Sequence, residues 1–293
     1  MNKKILILGI IAVLLFAACS PQKNELVTLK EIHSDWTFTQ AGEDNWLPAT
    51  VPGCVHTDLL NAGLIDDPFF RSNEDSLQWI SKEDWIYRTT FSITEKEMSN
   101  KQMELVFEGL DTHASVKLND KEILSADNMF RTWVVDVKDH LKKGENTLEI
   151  YFRSAEKYNL EQAAKLPYVL PEDERVHSRK AQYQFGWDWG PRFITSGIWR
   201  PIHLRMWNEA RIDNIFLHTP QIDEKRAKVS TQVSVVAPDA TSARIIITSP
   251  ERAFKRTAKD VQLQAGNNTL HLDFEIENPR LWWAHGMGEA HFV

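Results

Sequence analysis

In the run QFGWDWGP (184–191), three aromatic rings, two glycines, an aspartate and a proline share eight positions. An ionised carboxylate accepts from two adjacent hydroxyls in charge-assisted bonds, which are stronger than neutral ones. An indole face offers a stacking surface for the C–H patches of a sugar ring. Trp187 and Asp188 place the two ingredients side by side. In an unbroken strand Trp187 and Trp189 would share one face and Asp188 would point the other way. A common ligand therefore needs a break in the strand. Gly186 and Gly190 take backbone angles closed to other residues, and Pro191 fixes the exit. The same residues also suit a plainer role, with the rings capping a core and Asp188 capping a turn. Residue types alone leave both readings open.

Other candidate groups are poorer. His56 has no second imidazole or carboxylate at ligand spacing and is read as structural, so no metal site is expected. The acidic neighbours Asp66-Asp67, Glu83-Asp84 and Glu172-Asp173-Glu174 sit in polar, turn-like text. A catalytic pair needs one carboxyl kept protonated by an apolar setting beside one that stays ionised. Nothing around these residues promises that asymmetry, so they are read as solvated turns.

The chain has 293 residues, enough for two domains at about 150 residues each. Its formal charge of -7, with no long basic run, excludes nucleic acid as an expected partner. Most of its 11 Trp are expected to fill cores. Lys3 and Lys4 followed by ILILGIIAVLLFAAC (5–19) read as an export signal over 1–19, too short to favour a permanent membrane span. Ala17-Ala18-Cys19 resembles a bacterial lipobox, with Phe16 where that pattern usually has Leu. Cys19 is then the expected lipidation site, and SPQKN (20–24) a tether; the alternative is an ordinary cleaved signal peptide with an incidental cysteine. The expected location is periplasmic or on the outer membrane, with membrane contact only through the lipid. Cys54 would be left without an intramolecular partner.

What must position the Trp-Asp pair is a β scaffold. Short alternating runs separated by turn residues read as an all-β chain of sandwiches. ASVKLNDKEIL (114–124) predicts a hairpin turning at Asn119-Asp120. GENTLEIYF (144–152) and GNNTLHLDF (266–274) share one pattern and predict analogous late strands in two sandwiches. The polar break NEAR (208–211) marks the boundary between units at 25–208 and 209–293. Two short helices are expected, over TDLLNAGL (57–64), with Thr57 as a possible N-cap, and over AEKYNLEQAAKL (155–166). LPYVLPEDERVHSRK (166–180) reads as a long loop leading into the octapeptide.

Three stretches, taken together, resemble β-mannosidases of glycoside hydrolase family 2. They are ATVPGCVHTDLLNAGLIDDPFFRSNEDSLQWISKEDWIYRTTF (49–91), FEGLDTHASVKLNDKEILSADNMFRTWVVDVKDHLKKGENTLEIYFRS (107–154) and KAQYQFGWDWGPRFITSGIWRPIHL (180–204). The likeness continues to NPRLWWAHGMGEAHFV, where Ala284 stands in place of a frequent Pro. It implies a jelly-roll, galactose-binding-like sandwich, then an immunoglobulin-like sandwich, here incomplete, and then a TIM barrel absent from these 293 residues. The implied activity is removal of terminal β-mannose with retention, which requires two carboxyl groups about 5 Å apart.

In the family both are barrel glutamates, so the nucleophile and acid/base are expected beyond Val293 and none is assigned here. No cofactor is implied. The expected partners are β-mannoside oligosaccharides and the barrel of the same chain. The resemblance assigns mannose contact to Trp187 and Asp188 only. Trp189 and Arg192 are read as packing, Arg71 and Asn73 as structural, and Trp282-Trp283 as core and domain contact. Two alternatives stand beside this: a free-standing carbohydrate-binding lipoprotein, and a related glycosidase for a β-glucosaminide, galactoside or glucuronide.

Overall fold

The computed structural model describes residues 26–249 and 254–291. The expected export signal, the expected lipidation site Cys19 and the expected tether lie outside the described residues. Among the described residues no helix is long and apolar enough to cross a membrane.

The first unit contains β1 (Val27–Glu31), β2 (Thr37–Gln40), β3 (Leu47–Pro48), β4 (Trp85–Ile93), β5 (Gln102–Phe107), β6 (Leu110–Asp111), β7 (His113–Leu118), β8 (Lys121–Ala126), β9 (Trp133–Asp136), β10 (Gly144–Arg153), β11 (Phe185–Trp187), β12 (Gly190–Arg192), β13 (Gly197–Ile198) and β14 (Ile202–Trp207). One sheet runs β1-β14-β5-β9 and the other β3-β2-β4-β10-β7-β8. The last strand, β14, closes the sandwich by pairing antiparallel with both β1 and β5. Strand periodicity places Trp85, Tyr87, Phe91 and Ile93 of β4 and Leu148, Ile150 and Phe152 of β10 in one core, facing Leu105, Phe107, Leu204 and Met206 of the opposite sheet.

The second unit contains β15 (Arg211–Ile222), β16 (Arg226–Ala237), β17 (Thr241–Ile247), β18 (Thr257–Leu263), β19 (Gly266–His271) and β20 (Phe274–Glu277). Strand β16 pairs with β15, β19 and β20, while β17 pairs with β18. Its small core is built around Val233, Val235, Ala237 and Leu263. Glu104 of the first unit accepts from Arg205 Nε at 3.0 Å and from Arg211 Nη2 at 3.2 Å, so the carboxylate bridges the end of one unit and the start of the next. The Arg211 guanidinium lies 4.6 Å from the ring centroid of the buried Trp207.

The chain turns where its residues require. Asn119 and Asp120 both have positive φ, 51° and 66°, the geometry of a two-residue type I′ hairpin between β7 and β8. The repeat extends to its hydrogen bonds. Asn146 donates to the carbonyls of Lys142 (2.8 Å) and Gly144 (3.0 Å) and accepts from Lys142 N. Asn268 does the same with Gln264 (2.8 Å), Gly266 (3.0 Å) and Gln264 N. In both copies the glycine is left-handed, with φ of 88° and 89°.

The first helix runs Val55–Asn61 and starts earlier than expected, with Cys54 rather than Thr57 as its N-cap. Thr57 instead sits at the third helical position, where its hydroxyl accepts from Cys54 N at 3.3 Å and donates to Cys54 O at 2.7 Å. The second helix is Ala155–Ala163, with Ser154 accepting from Lys157 N.

Two core assignments are corrected. Among the described residues only Trp36, Trp85 and Trp207 of the Trp set are fully buried. Trp282 and Trp283 are 57% and 46% exposed, because they lie past β20 in a turn closed by Trp283 N to Glu289 O (3.0 Å) rather than on the inner face of a sheet.

The two repeat asparagines differ in burial, since Asn146 is fully buried and Asn268 only half so. Asn146→Ala is expected to lower unfolding free energy by about 3 kcal/mol and Asn268→Ala by about 1, because stranded polar groups cost most when water cannot reach them. Urea titrations of the two variants, read against wild type, check the ordering.

Candidate functional site

The octapeptide forms a small antiparallel hairpin in which Phe185 opposes Arg192 and Trp187 opposes Gly190. Asp188 and Trp189 are the two residues of its turn, so the strand alternation that would separate Trp187 from Asp188 is broken there. Gly186 is required: its φ is 92°, and a Cβ would come within 3.3 Å of Arg192 Cβ. Gly190 is not required, since it is absent from the left-handed positions and a Cβ there would meet open space. The expectation that both glycines shape the loop is corrected to Gly186 alone.

Trp187, Asp188, Trp189, Gly190 and Pro191 line an open cavity of about 480 Å³ together with Pro68, Phe69, Arg71 and Glu74. Among the described residues Asp188 makes no hydrogen bond or ion pair, and it is exposed. Trp187 is 48% exposed and Trp189 71%. The Arg175 guanidinium lies 5.1 Å from the Trp187 ring centroid, which steadies the indole without covering both its faces. Trp189 was read as packing, and this is corrected. As a turn residue it points away from the scaffold, with the Tyr183 ring 6.2 Å away.

Arg192, by contrast, does pack. Its backbone N donates to Glu74 Oε1 at 2.6 Å, its carbonyl accepts from Gln78 Nε2 at 2.9 Å, and its guanidinium pairs with Gln78 and with Glu156 at 3.2 Å. These contacts fasten β12 to the segment 74–78 and to the helix Ala155–Ala163.

Sequence reasoning set Arg71 aside as structural, yet it lines the same cavity as Trp187 and Asp188. Its guanidinium lies 4.9 Å from the Phe70 ring centroid. Asn73 serves the loop, donating to Asp67 O at 2.8 Å. Glu74 was missed altogether. The signal for both was weak, since DPFFRSNED carries no periodicity and its site neighbours lie more than a hundred residues away.

Behind the hairpin lies a buried polar cluster that composition alone does not reveal. Lys180 pairs with Asp111, each with its side chain at most 2% exposed. Lys180 Nζ also donates to Thr195 O at 2.7 Å, and Thr195 Oγ1 donates to Asp111 Oδ2 at 2.7 Å. Burial lowers the Lys180 ammonium while Asp111 pulls the other way. Burial, reinforced by the Lys180 charge, brings the nearby His56 imidazole down to about 4. His56 Nδ1 has no partner among the described residues, and the ring packs edge-on to Phe193, as a structural histidine would. Burial also brings His113 down to about 4, with its Nε2 2.8 Å from Ser178 Oγ. Among the described residues no group of three or more His, Cys, Asp or Glu side chains could hold a metal ion.

Residues 36–200 match the model of the glycosyl hydrolase 2 galactose-binding domain-like family, and residues 210–291 match glycosyl hydrolases family 2. The chain belongs to glycosyl hydrolase family 2. It is 33% identical to a β-mannosidase of Bos taurus, over 94% of this chain and 33% of that protein. To β-mannosidase B of Emericella nidulans it is 34% identical, over 87% of this chain and 31% of the relative. The crystal structure of a β-D-mannosidase from Dictyoglomus thermophilum superposes with a TM-score of 0.83 at 37% identity, over 89% of this chain and 33% of that one. An exo-chitosanase from Amycolatopsis orientalis, at 18% identity and a TM-score of 0.64, shares the fold. This member of family 2 thus spans about a third of the length of the β-mannosidases it matches.

His56 and His113 are neutral in the fold but take up protons near pH 6.5 once unfolded. Their contribution to stability is complete above about pH 6.5 and is lost as the pH falls to about 4. The unfolding free energy from urea titrations should therefore drop steadily between about pH 7 and pH 4.5, by about 2.5 kcal/mol per imidazole at the lower end, and the urea midpoint with it. His113→Gln should flatten part of that slope, and a midpoint constant across the window would contradict neutral burial.

Proposed function

We propose that this chain is the sugar-positioning N-terminal third of a retaining exo-β-mannosidase that removes terminal β-D-mannose. Trp187 and Asp188 contact the mannose, and the two catalytic carboxyl groups come from a further domain. The observation that carries the reading is the hairpin tip: a carboxylate without a partner among the described residues, beside two exposed indoles, in an open cavity that Arg71 also lines. The similarity to β-mannosidases supports mannose over other sugars.

In this mechanism Asp188 accepts from two adjacent hydroxyls remote from the anomeric carbon, and Trp187 stacks on the ring. Such remote binding orients the ring and can be used to distort it towards the oxocarbenium-like transition state. Arg71, which lines the same cavity, donates to the same sugar. The chain itself breaks no bond, and alone it should show no β-mannosidase activity.

Lipidation of Cys19 would hold the enzyme at the membrane of an exported compartment, with units at 25–208 and 209–293 carrying the barrel. Metabolic labelling with a clickable fatty acid should mark wild type and miss Cys19→Ser.

In the complete hydrolase, Asp188→Ala should lower kcat/KM for nitrophenyl β-mannoside at least about tenfold, about 1.4 kcal/mol of transition-state stabilisation. An unchanged value returns Asp188 to a turn-capping role. Faster turnover of a glucosaminide, galactoside or glucuronide in the same assay would overturn the choice of sugar.

A further inference from the structure

Both roots of the Trp-Asp hairpin end on one buried carboxylate. Ahead of β11, Lys180 donates to Asp111 Oδ1; after β12, Thr195 Oγ1 donates to Asp111 Oδ2 at 2.7 Å. The roots are also tied to each other, because Lys180 Nζ donates to Thr195 O at 2.7 Å. Thr112 supplies a further hydroxyl to Asp111 Oδ1. Asp111 itself is fixed in β6, which pairs with β13 just beyond Thr195. There Gly197 lies so close to the Cys54 backbone that an added Cβ would sit 2.9 Å from Cys54 Cα.

A two-stranded ribbon with three residues per strand has little stability of its own, so its direction is set by what holds its roots together with the Arg192 contacts along β12. A displacement of about 1 Å in a substrate-holding group can cost about a hundredfold in rate. We infer that Asp111, Lys180 and Thr195 are the positioning residues for Trp187 and Asp188: they touch no sugar, and they set where the hairpin tip stands. The effect on hydrolysis rests on the function proposed above, whereas the placement of the tip does not.

Two arms separate these claims. The first labels the 293-residue chain with 5-fluorotryptophan, assigns the resonances by Trp→Phe replacement, and compares wild type with Lys180→Met and Thr195→Val. Thr195→Val keeps the Lys180–Asp111 pair and so remains informative if Lys180→Met does not fold. The Trp187 and Trp189 fluorine signals should broaden or split, while those of the core residues Trp36 and Trp85 stay in place. Unmoved Trp187 and Trp189 signals, or equal changes at Trp36 and Trp85, overturn the positioning role.

The second arm measures kcat/KM of the complete hydrolase. Thr195→Val should lower it about tenfold, mostly in kcat, and have little further effect in an Asp188→Ala background. A loss that persists in that background overturns the link through Asp188. If Asp188→Ala alone leaves activity intact while the fluorine signals of Thr195→Val move, the proposed function falls and the positioning of the tip stands.

Discussion

The buried Lys180–Asp111 pair is the interaction on which the presentation of the hairpin depends. Its partners are 69 residues apart, and with Thr195 they close the segment 180–195 into a loop anchored inside the sandwich. A pair of this kind contributes little net stability against an apolar replacement. Removing one partner alone, however, costs about 3–5 kcal/mol, because the other charge is left buried. Such an arrangement fixes geometry more than it adds stability. It lets a short hairpin stand out from the scaffold with its polar tip open to solvent.

The two segments that line the cavity are built differently. One, the hairpin, is held at its base by Asp111 and along β12 by Glu74, Gln78 and Glu156 through Arg192. The other, the segment 67–74, is held by its own turn: Asp67 Oδ1 accepts from Phe69 N at 2.9 Å, and Asp67 O accepts from Asn73. An exo-chitosanase at 18% identity shares the fold, so the sandwich by itself does not fix a ligand.

What could be read directly from the sequence is what local chemistry determines. The Asn119-Asp120 turn, the alternation along β10 and the Gly-x-Asn repeat depend on residues close together in the chain, and the structure has them where their chemistry puts them. The Trp-Asp pair was visible because its residues are adjacent. The contacts that matter most for holding it were not, since Asp111, Lys180 and Thr195 lie 69 and 84 residues apart and look like ordinary polar residues. Burial is what distinguishes Asp111 and Lys180, and burial is a property of the fold. The exposure of Trp189 and of Trp282-Trp283 escaped prediction for a related reason: an indole's hydrophobicity does not reveal whether it sits inside a sheet or at the tip of a turn.

The most direct measurement is a crystal structure of the complete hydrolase with a mannose-configured inhibitor. The Asp188 carboxylate is expected within hydrogen-bonding distance, about 2.5–3.0 Å, of two adjacent hydroxyls, with the Trp187 ring against the sugar. A bound mannose held wholly by other residues, with Asp188 turned to solvent, would contradict it.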